Sequence, residues 1–595
     1  MRRVGIMIAV ALTAIVLLTF GSCQSPWTDP SSSGMKTDGK ATDAEPETDT
    51  KTDTGTDTGT EQEEKMIVLA TGKKATYGIA IGAVEEKDRD MVNLFVQSLN
   101  QKTGATFIAT ASGGIFGQKI FIGKTDLPEN QELYETLSYS GYAIELSNGN
   151  IHVCYYESEA LKKALNSFLG AVKQSADGSW GIAETYSAHG NLAASSEAIP
   201  KSRKGDTALK SVVPCGEGNR MATFEGFTDA AYQEYIKVLA TDGFSCYSEH
   251  ENAGNRFSVY TKGNTQVTLY WYPTRQIFKV IYGTKGYLPA TEKGTVASLC
   301  TPSITQLGRL AADESAQMVD GVFANGAPGM CYILRLSDGR YIIIDGGPVD
   351  KEGKDKKALY DFLVANKPAT MEKPVIAAWF ITHAHVDHTE LAVHFISTYS
   401  KQVEVEVVAY NFPDFSSISI KEDVNALLPN AGSFKATVRA YLPQAKTLIL
   451  HTGQTFWVGD AQIEMLYTQE NYTPNTFPTA NHTSTAFRIL LGGKSILILG
   501  DCEQDICNNL AEVYGKNLKS DLLQVTHHGV NGGSLALYKL VDPEICFWAI
   551  DEWRFQQHPQ IRGSSSWDYN KWILDNSIRV RKHYSTSKTT TIQLI

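Results

Sequence analysis

The sequence predicts an α/β protein in which two smaller α/β or α+β domains precede a larger C-terminal one, and three observations predict it. From about residue 66 onward, short apolar runs that read as strands alternate with segments of helical spacing. A Thr/Asp-rich stretch separates this region from an apolar N-terminus. Far downstream, the unbroken apolar run "VIAAWFIT" (375–382), the pattern of a strand buried on both faces, leads straight into "HAHVDH", with three histidines and an aspartate in six positions. The 595 residues suffice for two to four domains at roughly 100–200 residues each.

Residues 1–23 read as a targeting segment. "MRRVG" supplies positive charge, "IMIAVALTAIVLLTF" an apolar core, and "GSC" small residues before Cys23. "LTFGSC" resembles the lipobox of bacterial lipoproteins, in which the cysteine is lipidated. Phe20 departs from the aliphatic residue usual at its place. The resemblance implies an exported protein anchored at the bacterial cell surface through lipid on Cys23. Residues 24–65 are rich in Thr, Asp, Ser, Gly and Glu and hold almost no large apolar residue after Trp27, so they cannot bury enough surface to offset their ordering entropy. They read as a disordered acidic tether.

Residues 66–190 begin with the strand "MIVLAT". In "RDMVNLFVQSLNQKTG" helical spacing places Met91, Leu94, Phe95 and Leu99 on one face. "KIFIG", "GYAIELSNGNIHVCYY" and "SEALKKALNSFLGAV" read as strand, hairpin and helix. The strings "QSLNQKTGA", "IFIGKT", "GYAIELSNGNIHV" and "ALNSFLGAV" make the block similar to the small domain at the N-termini of glycoside hydrolases such as α-glucuronidases. That resemblance implies an accessory module near sugar polymers and carries no catalytic group. In residues 205–302, "GFTDAAYQEYIKVLATDGF" is a helix with Thr228 as N-cap, Asp229 in the first turn and Gly243 at its end. "FSCYSEH", "NRFSVYTKG", "TQVTLYWYP" and "IFKVIYG" follow as strands of one sheet whose alternating aromatics face the helix. No chemical constellation stands out, and the block reads as a spacer or recognition domain.

Residues 303–595 hold ten of the thirteen histidines. "MCYILRL" and "RYIIIDGG" form an antiparallel pair around "SDG", ending at Asp345 before two glycines. "KALYDFLVAN" is helical, and "TELAVHFISTYS" resumes helical spacing after the histidine cluster. Residues two apart on an extended segment point the same way, so His383 and His385 can share one ion. Asp387 and His388 diverge from that pair and can face a second. Imidazole and carboxylate suit zinc, iron or manganese. The bland alternative, a satisfied polar loop, does not explain four ligand-type side chains at this spacing behind a buried strand. His394 reads as an ordinary helix residue, His558 as a loop histidine, and His451 and His583 have no evident partners. The eight cysteines after Cys23 form no CxxC pair and read as buried free thiols.

"THAHVDH" resembles the signature of the metallo-β-lactamase fold superfamily, and further motifs of that family stand elsewhere in the block. Asp345 in "IIIDGG" matches an aspartate that supports the ligands. Asp501 in "KSILILGDCEQD" matches the aspartate that bridges two metals. "DLLQVTHHGVNGGS" matches the late histidine motif, with His527 or His528 as ligand; His527, first after the apolar strand, is expected on the metal. His528 is expected to face substrate and donate a hydrogen bond or proton, and Asp387 and His528 are the expected catalytic side chains. Motif order and "NHTSTAFRILLGGKSILILGD" resemble the branch typified by the DNA-uptake protein ComEC, and the secreted phosphorylcholine esterases are similar. Many members carry a histidine ligand near His482, but that branch often does not, which leaves His482 open between ligand and loop histidine.

The resemblance implies an αββα sandwich with its ligand loops along one edge, holding two divalent ions, zinc or else manganese or iron. Their shared hydroxide would attack phosphorus or a carbonyl carbon. No G-x-S-x-G nucleophile elbow competes with that reading. A phosphodiester is the expected substrate, as a small molecule or a cell-surface polymer. The net charge of -11 disfavours a nucleic-acid partner. The alternatives are an acyl hydrolase of the same fold, acting on a lactone, ester or lactam, and a non-catalytic glycan-binding scaffold.

Overall fold

The computed structural model describes residues 65–84, 86–137, 141–191, 209–308, 318–319, 322–323, 329–348, 353–415, 424–472, 477–552, 555, 567–575 and 582–595, all within one compact unit. The targeting segment with Cys23, the tether up to residue 64, and His558 lie outside them. Among the described residues no helix is long and apolar enough to cross a membrane.

The N-terminal block is built on a six-stranded sheet whose parallel centre comprises Gly78–Ile81, Lys119–Ile122 and Asn150–Tyr155. Helices Glu86–Thr103 and Ser158–Ala171 cover it, with Phe95 edge-on to Phe168 at 5.6 Å. The buried stripe of the first helix is Val92, Phe95, Val96 and Leu99, spaced i, i+3, i+4, i+7. Leu94, expected on that stripe, is 60% exposed, because it lies one residue off the packed face.

In the middle block, strands Leu209–Gly216, Asn219–Glu225, Ile277–Thr284, Thr265–Tyr272, Asn255–Lys262 and Ser245–Asn252 form, in that order, an antiparallel sheet. Helix Asp229–Thr241 lies on one face, and the Thr228 hydroxyl accepts from Ala231 N at 3.1 Å, the expected cap. Alternation then sorts the side chains. Leu269, Trp271, Phe278, Val280 and Tyr282 pack under the helix. Met221, Phe257, Tyr270, Tyr272 and Ile281 occupy the opposite face. That face docks on the C-terminal block: Val513 packs against it, and the Asn255 amide donates to Val513 O at 3.2 Å.

The C-terminal block is the expected αββα sandwich. Its first sheet runs Lys446–Ile449, Val407–Tyr410, Val375–Phe380, Tyr341–Ile344, Tyr332–Arg335, Ser303–Gln306 and Thr590–Gln593. The second runs Thr455–Val458, Ala461–Tyr467, Ala486–Leu491, Lys494–Ile498, Leu522–Gln524, Ile545–Phe547 and Lys582–Tyr584. Both mix parallel and antiparallel pairs. Alternate residues point to opposite faces, so each central strand serves two cores. Ile342, Ile344, Ile496 and Ile498 fill the space between the sheets. Tyr341 and Ile343 pack under helices Lys354–Asn366, Val386–Tyr399 and Val424–Tyr441. Leu497 and Leu499 pack under Gln504–Tyr514, Leu535–Val541 and Trp567–Asp575. The eight described cysteines are free thiols, six of them buried.

Candidate metal centre

Three segments distant in sequence meet at the edge of the sandwich. Strand Val375–Phe380 ends three residues before His383, and His385 caps helix Val386–Tyr399, whose first turn carries Asp387 and His388. Asp501 follows strand Lys494–Ile498, and His527 and His528 follow strand Leu522–Gln524. Two glycines permit the close approach. A Cβ on Gly346 would lie 2.6 Å from Ala392 N of the helix, and one on Gly500, at φ +54°, would lie 2.9 Å from Thr382 Cβ.

The ligand-type atoms fall into two groups that share Asp501. One comprises His383, His385 and Asp501, the other Asp387, His388, Asp501 and His528, with the atoms of each group within 4.8 Å of one another. His383 Nε2 and His385 Nδ1 are 3.0 Å apart. His528 Nε2 lies 3.0 Å from Asp387 Oδ2 and 3.3 Å from Asp501 Oδ2, and His388 Nε2 lies 3.3 Å from the same Asp501 oxygen.

The imidazoles are oriented from behind. His388 Nδ1 donates to Asp345 Oδ2 at 2.7 Å, and His528 Nδ1 donates to the Ala549 carbonyl at 2.9 Å. Thr382 Oγ1 donates to Asp345 Oδ2 at 2.8 Å and lies 3.1 Å from His383 Nδ1, from which it accepts. Each contact fixes a tautomer and turns the opposite nitrogen toward the cluster. Asp345 and both late histidines adopt left-handed backbone, at φ 55°, 46° and 57°, conformations that cost energy in residues with a Cβ and gather at functional sites.

The electrostatics follow from burial against charge. Burial, with His388 and His385 beside it, holds His383 well below the usual histidine range, so it is neutral. Burial also opposes charge on His388, but Asp501, Asp387 and Asp345 outweigh it and hold that imidazole well above the range. The same contest, with Asp501 and Asp387 as partners, raises His528 to about 9. Against burial, the imidazoles of His528, His388 and His527 hold the Asp501 carboxyl well below the usual carboxylate range.

The donor set fits a divalent cation. Among the described residues, His388 Nε2, His528 Nε2 and Asp501 Oδ1 are buried without a hydrogen-bond partner, and all three belong to one group. Orphaned buried polar atoms are costly, and atoms that converge in this way need a shared partner. Imidazole nitrogen with carboxylate oxygen suits zinc, manganese or iron.

The late histidines are exchanged relative to the sequence reading. His528 is buried in the cluster. His527 lies at its rim, with Nδ1 3.4 Å from Glu503 Oε1 and Nε2 3.8 Å from Asp501 Oδ2. Consecutive left-handed residues break the alternation an extended strand would impose, so the first histidine after the strand does not point inward. His482 stands outside both groups; its Nε2 faces Asp505 Oδ1 at 3.4 Å and its Nδ1 meets the Thr479 hydroxyl at 3.0 Å. His394 is an exposed helix residue. His451 pairs with Glu470 at 3.0 Å, and His583 accepts from the Trp548 indole at 3.1 Å. Sequence reasoning missed Thr382, Glu503 and Asn481, whose amide donates to Glu503 Oε1 at 2.9 Å. The hydroxyl between the strand and the first histidine was the one available signal.

Residues 324–546 match the metallo-beta-lactamase superfamily model. No curated protein matches the chain. Among solved structures, it is similar to the metallo-beta-lactamase fold protein YhfI from Bacillus subtilis, at 13% identity over 49% of this chain and 99% of that one, TM-score 0.30. Zn(2+)-bound PqqB from Methylobacterium extorquens shows 10% identity over 49% and 100%, TM-score 0.30. CmlA, a diiron beta-hydroxylase from Streptomyces venezuelae, shows 15% identity over 45% and 53%, TM-score 0.28, so the match spans about half of that chain. The C-terminal block carries a metallo-β-lactamase domain, assigned by the family model.

Proposed function

We propose that the C-terminal domain is a metal-dependent hydrolase acting on a phosphodiester. His383, His385 and Asp501 would hold one divalent cation, and Asp387, His388, Asp501 and His528 a second. A pair of such ions lowers the pKa of water toward neutrality and offsets charge developing on phosphoryl oxygens. The chain itself supplies orientation and proton handling. Asp345, Thr382 and the Ala549 carbonyl hold the imidazole tautomers. Asp387 is a ligand in this reading. His527, partly exposed at the rim with Nδ1 3.4 Å from Glu503 Oε1, takes the substrate-facing place first expected of His528. The observation that carries the reading is the convergence of three orphaned buried atoms in one group of four ligand-type residues. The likeness of "THHG" and its neighbours to the phosphodiester branch of the superfamily supports the substrate class.

Metal content and turnover of bis-p-nitrophenyl phosphate, nitrocefin and a p-nitrophenyl ester test it together. Phosphodiester turnover that depends on metal and disappears in Asp501→Asn is the expected result. Turnover of the acyl substrates alone would transfer the reading to an acyl hydrolase, and bound metal with no turnover would leave a scaffold. The charged start, apolar run and Cys23 support an exported, lipid-anchored protein, with the site facing a surface polymer or small molecule. Cys23→Ala should then release the protein from the membrane fraction.

A further inference from the structure

The middle block contributes to a second recessed site beside the metal centre. Tyr272, Arg275 and Lys279 of its sheet and turn face Tyr472, Asp505 and Asn509 of the C-terminal block across a cleft of about 390 Å³. Asp505 follows Asp501 by four residues, no more than about 14 Å of chain at about 3.6 Å per residue. Its carboxylate lies 3.4 Å from His482 Nε2. Asn481, the preceding residue, bonds Glu503 and lies 3.4 Å from the His527 ring nitrogens. One wall of the cleft is therefore continuous with the rim of the centre.

The lining selects among ligand classes. Both cations in the cleft are already engaged: Lys279 Nζ donates to the carbonyls of Glu470 at 2.7 Å and Asn471 at 3.2 Å, and Arg275 pairs with Glu512 at 3.0 Å. A second anionic group would meet Asp505 without gaining an uncommitted partner. An apolar group would meet Ile277 and Ile506 but would take Asn509 and the Tyr272 and Tyr472 hydroxyls out of water without a new partner, at the cost of desolvating polar atoms. What remains is a ligand with donors and acceptors distributed around a ring, matched by a carboxylate, a carboxamide and phenol hydroxyls beside tyrosine faces. We infer that this cleft binds a glycosyl unit, and that this unit is the part of the substrate next to the scissile phosphodiester. The second clause rests on the hydrolase reading; the first rests on the cleft alone.

The test separates the two. Saturation-transfer NMR on the full chain would use methyl β-glucoside, methyl β-N-acetylglucosaminide and glycerol as probes. The expected result is transfer to at least one glycoside, abolished by Asn509→Trp, which fills the cleft, and weakened roughly threefold to tenfold by Asn509→Ala, the loss of about one hydrogen bond. Binding should persist in Asp501→Asn, which leaves the cleft intact. Transfer to no glycoside, or transfer unchanged in both Asn509 variants with melting curves like the wild type, overturns the inference. Transfer to glycerol alone would do the same, since it would show no ring recognition. Glycoside binding in a protein that turns over no phosphodiester upholds the cleft and removes the phosphodiesterase reading. Turnover without glycoside binding does the reverse.

Discussion

Two buried clusters in this molecule pair carboxylates with imidazoles, and they differ in what they leave unsatisfied. One is the candidate metal centre. The other lies where the middle sheet docks on the C-terminal block. There the Glu470 carboxylate accepts from His451 at 3.0 Å, from Thr468 at 3.1 Å and from the Tyr270 hydroxyl, while Lys279 donates to the Glu470 carbonyl. Against burial, His451 and Tyr270 hold the Glu470 carboxyl below the usual range. The carboxylate is satisfied from within the chain, as a structural junction requires. At the metal centre the supporting nitrogens are satisfied, while His388 Nε2 and His528 Nε2 have no hydrogen-bond partner among the described residues. Two clusters of similar composition thus divide into one that joins blocks and one arranged for a ligand.

The largest effect should come from Asp501→Asn, the residue shared by both groups. Turnover should fall to background and bound metal should drop in plasma emission analysis, while the metal-free fold persists in circular dichroism. Stoichiometric metal with normal turnover in this variant would erase the contrast. Glu470→Ala should do the opposite. Removing this buried carboxylate strands the side chains that donate to it, at about 1–3 kcal/mol for each unsatisfied group, read by urea unfolding, and the folded fraction should keep its metal. Asp345→Asn comes next, since losing a residue that orients a ligand weakens metal affinity roughly 10- to 100-fold. Competition with a chromophoric chelator would measure it, and an unchanged affinity would mean that Asp345 only closes the loop.

A smaller effect separates the clusters by pH. Burial, opposed by Glu470 and Cys215, lowers Lys279 to about 8 from its ordinary value of 10.5. Between those values the unfolded chain binds a proton that the folded chain lacks, so this group's contribution to stability grows as pH rises and is lost as pH falls through 8. Relative to Lys279→Met, the wild type should gain about 1–2 kcal/mol between roughly pH 8 and 9.5. A constant difference in melting would show that the ammonium is not buried as described. Smallest is Thr228→Ala, which removes a helix cap far from both clusters and should cost about 1 kcal/mol with metal binding untouched.

What could be read from the chain was local. The Thr228 cap, the 332–335/341–344 hairpin and the strand–histidine–helix passage around His383 each depend on neighbours a few residues away, where spacing dictates direction. The misplacement of Leu94 shows the limit even there, because the packed stripe of a helix is chosen by what covers it. The docked face of the middle sheet could not be read as an interface, since its aromatics alternate like those of any half-buried sheet.

By itself the sequence determined that three imidazoles and a carboxylate, His383, His385, His388 and Asp387, were available behind a buried strand, because apolar period and ligand spacing are properties of contiguous residues; Asp345, Asp501, His527 and His528 were reached through the family resemblance. The tertiary structure alone decided that His528 enters the cluster and His527 stays at the rim, that Thr382 links His383 to Asp345, and that strand Thr590–Gln593 closes on Ser303–Gln306. Those outcomes follow from left-handed backbone angles and from contacts across hundreds of residues, where the packing of the two sheets, not the spacing of neighbours, sets which atoms meet.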